Sequence, residues 1–492
     1  MTRFSRIFVT AVAASVLASP ISAQRSGGVI GGVVGGLGGT LNNTLGGLGA
    51  TTSRIGGLVG NTVGGLGGGL SGLGSTTGGL LGSGGLATGG RSQSSSDALT
   101  QQFLRSGYFS GSAALDQVGG LYQADFASPE QIENYRRARL NALIAANRGV
   151  LDRDSSGQPV RKRELIATNP DPTSLAVAGR MGFQVSGDEI EPGLGIRMVT
   201  LVIPRTMNVR QAFQAIRRAA PAMLVDYNHI YEPSGGSLLP VAGAVLASAP
   251  RSIPRATRIA MIDGGVASHP SLVRASIEQQ GFAGDAQPTG HGTAVGSLLV
   301  GDQGPFRGAA RGAQLFVADV YGGNPAAGST SSIVRALSWA ASKNPAVINI
   351  SLVGPNNAAL ARAIGSVEAR GIKVVAAVGN DGPAAPPQYP ASYPGVVSVT
   401  GVDAQGKALP EASRAGHLDF AAPGADMIAA LPGQGFTVVR GTSFAAPLAA
   451  ARLALTGSYE RLAMEARPGK GKVGRGIVCW QCRVDPGVVR RK

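Results

Sequence analysis

The chain has 492 residues, room for two or three domains, and carries 75 glycines against an aromatic share of only 5%. Its formal net charge is +16, but the basic residues are scattered, without the dense run or interleaved aromatics that a nucleic-acid site needs. The charge therefore reads as a basic, solvated surface, and nucleic acid is set aside as a partner.

In chain order, residues 1–23 read as a secretory signal. Arg3 and Arg6 form a positive start, Ile7 to Leu17 a short apolar run, and Ile21-Ser22-Ala23 a small-residue cleavage site. The run is too short for a lasting membrane span, and no later run is long and apolar enough to be one. The expectation is an exported protein without a transmembrane segment, periplasmic or extracellular. Residues 24–95 form a glycine-rich, low-complexity region of Gly-Gly-Leu-Gly-like units with no Gly-x-y period, which excludes collagen. Glycine loses the most backbone entropy on folding, and the spaced Leu and Val cannot offset that loss. The region reads as a disordered linker or surface tether, with self-association as the sharper alternative.

Residues 96–160 regain ordinary composition as a helical and linker region. Ser128-Pro129-Glu130-Gln131 predicts a helix start, with Ser as cap and Gln three residues on. The helix runs to about Asn147 and carries Arg136, Arg137 and Arg139 on a solvated face. Asp152 to Gly157 begins like a calcium loop, but Arg163 stands where a bidentate Glu is required, so a polar turn is expected. Residues 161–233 read as a compact α+β unit. Strands are expected at Glu164 to Ala167, Phe183 to Ile190, Ile196 to Pro204 and Met223 to Tyr231, with helices at Asp171 to Arg180 and Val209 to Ala219. The order βαββαβ is ferredoxin-like. Residues 234–254, rich in Gly, Ala, Pro and Ser, read as a linker open to processing.

From 255 to 492 the pattern becomes strand, turn, helix, repeated. Ile259 to Ile262, Leu315 to Val317, Val347 to Ile350, Ile372 to Val375 and Val396 to Val399 are short apolar runs, as buried strands should be. Ser332 to Ser342 and Ala358 to Arg370 are helical stretches between them. The fold class is α/β, a doubly wound parallel sheet with helices on both faces. Such sheets bind ligands beyond the carboxyl ends of their strands, which is where Asp263 and Asn380 fall.

Four glycine-rich turns carry the chemistry: Asp263-Gly264-Gly265, Gly290-His291-Gly292-Thr293, Gly379-Asn380-Asp381-Gly382 and Gly441-Thr442-Ser443. The last runs into a small-residue helix, Ala445 to Leu455, so Ser443 sits at a helix N-terminus, which favours a developing negative charge. A serine hydroxyl is a weak nucleophile and needs a base, the role expected of His291. Asp263 would orient the imidazole and stabilise its cation, and Asn380 would donate to the oxyanion. Taken singly, each turn also fits a bland loop or cap.

Together, in the order Asp, His, Ser, these turns resemble the subtilisin-like serine proteases (subtilases, peptidase family S8) over roughly Arg255 to Val478. Tyr389 to Val396, Phe420-Ala421-Ala422-Pro423-Gly424 and Gly474-Arg475-Gly476 resemble further family segments. The resemblance implies a catalytic set of Asp263, His291, Ser443 and Asn380. It also implies substrate-binding walls at Ser351, Leu352, Val353 and Gly354 on one side, with Ala377, Val378 and Gly379 on the other. The walls are apolar, so an apolar or aromatic side chain is expected before the cut bond. The 161–233 unit would be an inhibitory pro-domain, a partner the chain carries within itself. His229, His269 and His417 are expected to be structural.

Departures from the family pattern are Gly264-Gly265 after the Asp, Ala294 in place of a second His, and Val353 where a Gly often keeps the cleft open. In the loop from Val300 to Gly308, Asp302 and Gln303 are nearly the only oxygen ligands, so no metal and no cofactor are expected. Cys479 and Cys482 fit a disulfide, a redox pair or half a zinc site. With no second pair and no thioredoxin-like setting, a local disulfide is expected. The reading is an exported serine endopeptidase made as a precursor. Its rivals are a surface or interaction protein with an inactive catalytic domain, and a protease acting only on itself.

Overall fold

The structure, a computed structural model, describes residues 128–234, 237–241, 257–433 and 435–489. The expected signal, the glycine-rich region and most of the 234–254 linker lie outside the described residues. Helix α1 (Pro129–Ala146) opens with a capping box, in which Ser128 and Gln131 each accept the other's backbone N–H.

The α+β unit follows as β1 (Leu151–Arg153), β2 (Pro159–Thr168), α2 (Pro172–Arg180), β3 (Gln184–Glu191), β4 (Ile196–Val202), α3 (Val209–Ala219) and β5 (Leu224–His229). The sheet is antiparallel, with β4 and β5 flanking β2 and β3 outside β4. Val209, Ala212 and Ile216 recur at helical spacing on α3 and pack against Leu165, Val199 and Leu201 of the sheet. Of the stretch from Asp152 to Gly157, the first two residues end β1 and the rest make a hairpin turn, since β1 pairs antiparallel with β2. Asp154 closes it by accepting the N–H groups of Ser156 and Gln158, both at 2.8 Å. The sheet thus begins inside the segment expected to be linker.

The remaining elements are β6 (Glu232–Pro233), β7 (Ser237–Val241), β8 (Arg258–Asp263), β9 (Ser276–Gly281), α4 (Gly290–Val300), β10 (Asp302–Gln303), β11 (Phe306–Arg307) and β12 (Gln314–Asp319). Then come α5 (Thr330–Ser342), β13 (Val347–Ile350), β14 (Leu352–Val353), α6 (Ala358–Glu368), β15 (Lys373–Ala377), β16 (Val397–Val402), β17 (Phe420–Pro423), β18 (Met427–Ala430), β19 (Phe436–Arg440), α7 (Thr442–Thr456) and α8 (Tyr459–Met464).

Seven of these strands form one parallel sheet in the order β9-β12-β8-β13-β15-β16-β17. Alternate residues face opposite layers. Ile259, Met261, Leu315 and Val317 join the core under α4 and α7, while Ala260, Ile262, Phe316 and Ala318 join the one under α5 and α6. Burial on both faces explains why these strands read as unbroken apolar runs. The chain fills the sheet on one side of β8, then crosses to β13 and continues on the other. The carboxyl ends of β8 and β13 therefore border the switch point, where ligands bind in such sheets. Part of the expected 234–254 linker is in fact ordered, because β7 pairs antiparallel with β19. Among the described residues, no helix is long and apolar enough to cross a membrane.

Candidate active site

Asp263 ends β8 and is wholly buried. His291 is the second residue of α4, and its Nδ1 lies 2.9 Å from Asp263 Oδ1. The glycines around them permit this approach. A Cβ on Gly264 would lie 2.4 Å from Thr289 Oγ1, and one on Gly292 would lie 2.2 Å from the Gly264 carbonyl oxygen. The Gly264-Gly265 departure thus has a steric reason, because α4 begins directly against the turn. Nearby Asp319 is pushed above the ordinary carboxylate range by burial, which outweighs N–H donation from Gln287, Tyr321 and Gly322.

Ser443 is the second residue of α7 and is fully buried under its neighbours. The ring of Phe444, the next residue, has its centroid 5.3 Å from that of His291, so α4 and α7 bring His and Ser turns side by side. Asn380 follows β15. Its Oδ1 accepts the Thr442 N–H at 2.9 Å, which turns the Nδ2 donor towards the cleft. That donor is met by the Ser234 carbonyl oxygen, to which the Ser443 hydroxyl also donates at 3.1 Å. One carbonyl thus lies between the serine and the asparagine.

Ser234 arrives there on a short strand. β6 pairs antiparallel with β14, Leu352 opposite Pro233 and Val353 opposite Glu232. The Ser234 N–H and hydroxyl both donate to the Ser351 carbonyl, at 2.9 and 3.0 Å, and Ser351 Oγ donates to the Ser443 carbonyl at 3.0 Å. Tyr231, three residues before Ser234, is buried and donates its hydroxyl to the Pro355 carbonyl at 2.8 Å. Its ring covers Gly354, where a Cβ would lie 2.5 Å from it. Gly379, with φ +96°, forms the opposite wall; a Cβ there would lie 3.2 Å from Val353 Cγ1. Val353 thus narrows the space between the two walls, beside the Ser234 backbone held on β14. Ala377 and Val378 are buried behind it.

The α+β unit docks on the helices beside this cleft. Asp226 accepts the Ala358 N–H at the start of α6, and Asn228 accepts the Ser331 N–H at the start of α5. Contrary to the expected solvated face, Arg136 is buried and donates to Asp381 at 3.1 Å. One Arg139 nitrogen bridges Glu232 at 3.1 Å and Asp381 at 3.0 Å. Burial works against charge on Arg139, but these two carboxylates hold its pKa well above that of an ordinary arginine. Of the three arginines, Arg137 alone is largely exposed.

Sequence reasoning missed Tyr231, Ser234 and this arginine pair. The one usable signal was an extended Tyr-Glu-Pro-Ser run ending at the Gly-Ala-rich stretch, since Pro holds the residue before it extended. His229, His269 and His417 lie apart from the cleft contacts, in local hydrogen bonds to Asp154, Ser271 and the Val396 carbonyl. Asp302 is engaged by Arg307 at 3.0 Å and Arg311 at 3.7 Å. Cys479 and Cys482 are joined by a disulfide.

A doubly wound sheet with a buried Asp–His pair and a helix-borne serine at its switch point defines a serine-hydrolase type of domain. Comparison with known proteins gives the family. The subtilase family model matches residues 255–467. Over 203 residues the chain is 33% identical to Subtilisin Savinase of Lederbergia lenta, covering 40% of this chain and 75% of that protein. It is 31% identical over 233 residues to the major intracellular serine protease of Bacillus subtilis strain 168, covering 44% of this chain and 73% of that one. Against the alkaline protease of Shouchella clausii, 33% identical, it spans only about half of the relative, 53%. The chain belongs to the subtilase family of serine endopeptidases. Among solved structures, fervidolysin from Fervidobacterium pennivorans, a keratinolytic enzyme related to subtilisin, aligns with a TM-score of 0.55 at 18% identity, over 68% of this chain and 62% of that one. That is a likeness of fold.

Proposed function

We propose that this chain is an exported serine endopeptidase, made as a precursor, that cuts its own Ser234–Gly235 bond and afterwards cuts extended polypeptides in the same cleft. The observation that carries this is the Ser234 carbonyl oxygen, which accepts from both Asn380 Nδ2 and the Ser443 hydroxyl at the end of a strand paired with β14. A polypeptide bound as an added strand, with one carbonyl at a nucleophile and a donor, is the posture of a protease substrate.

In this reading Ser443 Oγ attacks the Ser234 carbonyl carbon and its proton passes to His291 Nε2. Asp263 holds the other ring nitrogen protonated and faces the imidazolium that forms. Charge developing on the Ser234 oxygen is met by Asn380 Nδ2, whose orientation the Thr442 N–H fixes. The C–N bond to Gly235 breaks, its nitrogen takes the proton, and water later releases the acyl group from Ser443. The α+β unit then remains as an inhibitor until it leaves. The narrow gap between Val353 and Gly379 favours a small, uncharged residue before the cut bond. Export rests on residues 1–23 alone. No metal or other cofactor has a role in these steps.

Intact mass and N-terminal sequence of the purified exported protein test this, wild type beside Ser443→Ala. The expected outcome is a new N-terminus at Gly235 in the wild type and an uncut chain in the variant. Cleavage that persists in Ser443→Ala would overturn the assignment of the nucleophile. If both chains stay whole and a serine-directed phosphonate fails to label Ser443, the proteolytic reading is lost.

A further inference from the structure

Asp381 follows the oxyanion asparagine in sequence, and its side chain is only 6% exposed. Its carboxylate is paired from the N-terminal side of Ser234. Arg136 Nε donates to Oδ2 at 3.1 Å, and an Arg139 Nη donates to Oδ1 at 3.0 Å. Both arginines lie on α1 and would depart with the severed segment. The same Arg139 nitrogen also holds Glu232, two residues before Ser234, at 3.1 Å. The carboxylates of Glu232 and Asp381 thus flank one cation, no more than about 6 Å apart, a separation at which two like charges repel unless a cation lies between them. Arg136 is further engaged by Glu133 at 3.5 Å and Gln158 at 3.2 Å, so the cluster is closed by groups that leave together.

We propose that in the processed enzyme Asp381 determines specificity, selecting Lys or Arg at the substrate position that Glu232 occupies here. The inference rests on the proteolytic reading above. A substrate lying where β6 lies brings the side chain at Glu232's place within about 6 Å of Asp381, where it can supply the cation that α1 took away. A Lys at Glu232's place extends one bond further than Glu, and an Arg two, which carries its cation towards where the Arg139 nitrogen now stands. A neutral side chain leaves the carboxylate without a cation, and an acidic one adds the repulsion that Arg139 relieves in the precursor. The chain's own strand is therefore a poor sequence for cleavage of a separate molecule, held in place by a cation from its own helix. Electrostatic selection of this kind favours basic polypeptides.

The test uses self-processed wild type and Asp381→Asn, both made from the full chain, with active sites counted by phosphonate titration. The probes are quenched-fluorescence peptides Tyr-Xaa-Pro-Ser-Gly-Gly with Lys, Gln or Glu at Xaa. In wild type at low salt, kcat/KM for Lys is expected to exceed that for Glu by about tenfold or more, with Gln between, and added salt should shrink the ratio. In Asp381→Asn the three peptides should fall within about twofold. Equal rates in wild type overturn the proposal, whether or not the variant folds. So does a gradient that survives in Asp381→Asn, or in Asp381→Ser if the first variant fails to process. If no peptide is cut by labelled, self-processed enzyme, the reading that it cuts separate polypeptides falls and takes this inference with it.

Discussion

Replacing Val353 by Gly should open the cleft to large side chains before the cut bond. Val353 is 5% exposed, and its Cγ1 stands 3.2 Å from where a Cβ of Gly379 would be. The substitution removes three carbons from a buried position. At about 0.8 kcal/mol per buried carbon, an apolar substrate side chain that fills the vacated space gains about 2 kcal/mol, on the order of thirtyfold in kcat/KM. The folded protein loses a comparable amount, about 2–3 kcal/mol, from the lost packing and the freer glycine backbone, which thermal melting of the same preparations measures. The assay compares Tyr-Gln-Pro-Ser and Tyr-Gln-Pro-Phe amides at matched active-site concentration. Wild type should favour Ser, and Val353→Gly should raise the Phe rate about thirtyfold while the Ser rate moves less than about threefold. If wild type already cuts after Phe as readily as after Ser, or the variant shifts both alike, Val353 does not narrow the cleft.

Loss of the Asn380 donor in Asn380→Ala should lower kcat by roughly 10²–10³ with KM little changed, a magnitude borrowed from the equivalent loss in a subtilisin; an unchanged kcat on the Ser peptide refutes the oxyanion role. Asp154 is buried, which by itself would raise its pKa, but hydrogen bonds from His229, Gln158 and Ser156 hold it below the usual 3.8. Its stabilising contribution is therefore present above that value and lost as pH falls through its lower, folded value. In the uncut Ser443→Ala background, adding Asp154→Asn should cost about 1–3 kcal/mol near neutral pH. The difference in melting temperature from the Ser443→Ala parent should narrow as the pH is taken below 3.8. A difference that stays constant into acid would show that the carboxylate charge is not what stabilises the turn.

The sequence by itself determined what is locally encoded. Alternating apolar runs and helical stretches specify a parallel sheet because burial on both faces leaves strands no polar side to show, and Ile259 to Ile262 or Val347 to Ile350 are legible on that ground alone. Asp263, His291, Asn380 and Ser443 stand out because each sits in a glycine turn, and those glycines answer to close backbone approach at the site. The capping box at Ser128 placed the start of α1 for the same reason, since a cap is satisfied within a few residues. Contacts between distant residues were decided only by tertiary structure. Arg136 looked solvated because nothing on its helix marks it as buried; its partner Asp381 lies 245 residues away. Ser234 reads as ordinary linker until the fold lays it against Ser443, 209 residues on, and β7 has no pattern that foretells its pairing with β19. Val353 stands out in sequence only by resemblance, as a Val where a Gly often keeps the cleft open, and how closely it faces Gly379 is decided by the neighbouring strand end. Pairing partners and pocket widths depend on which surfaces the whole chain brings together, and one-dimensional periodicity carries no record of that.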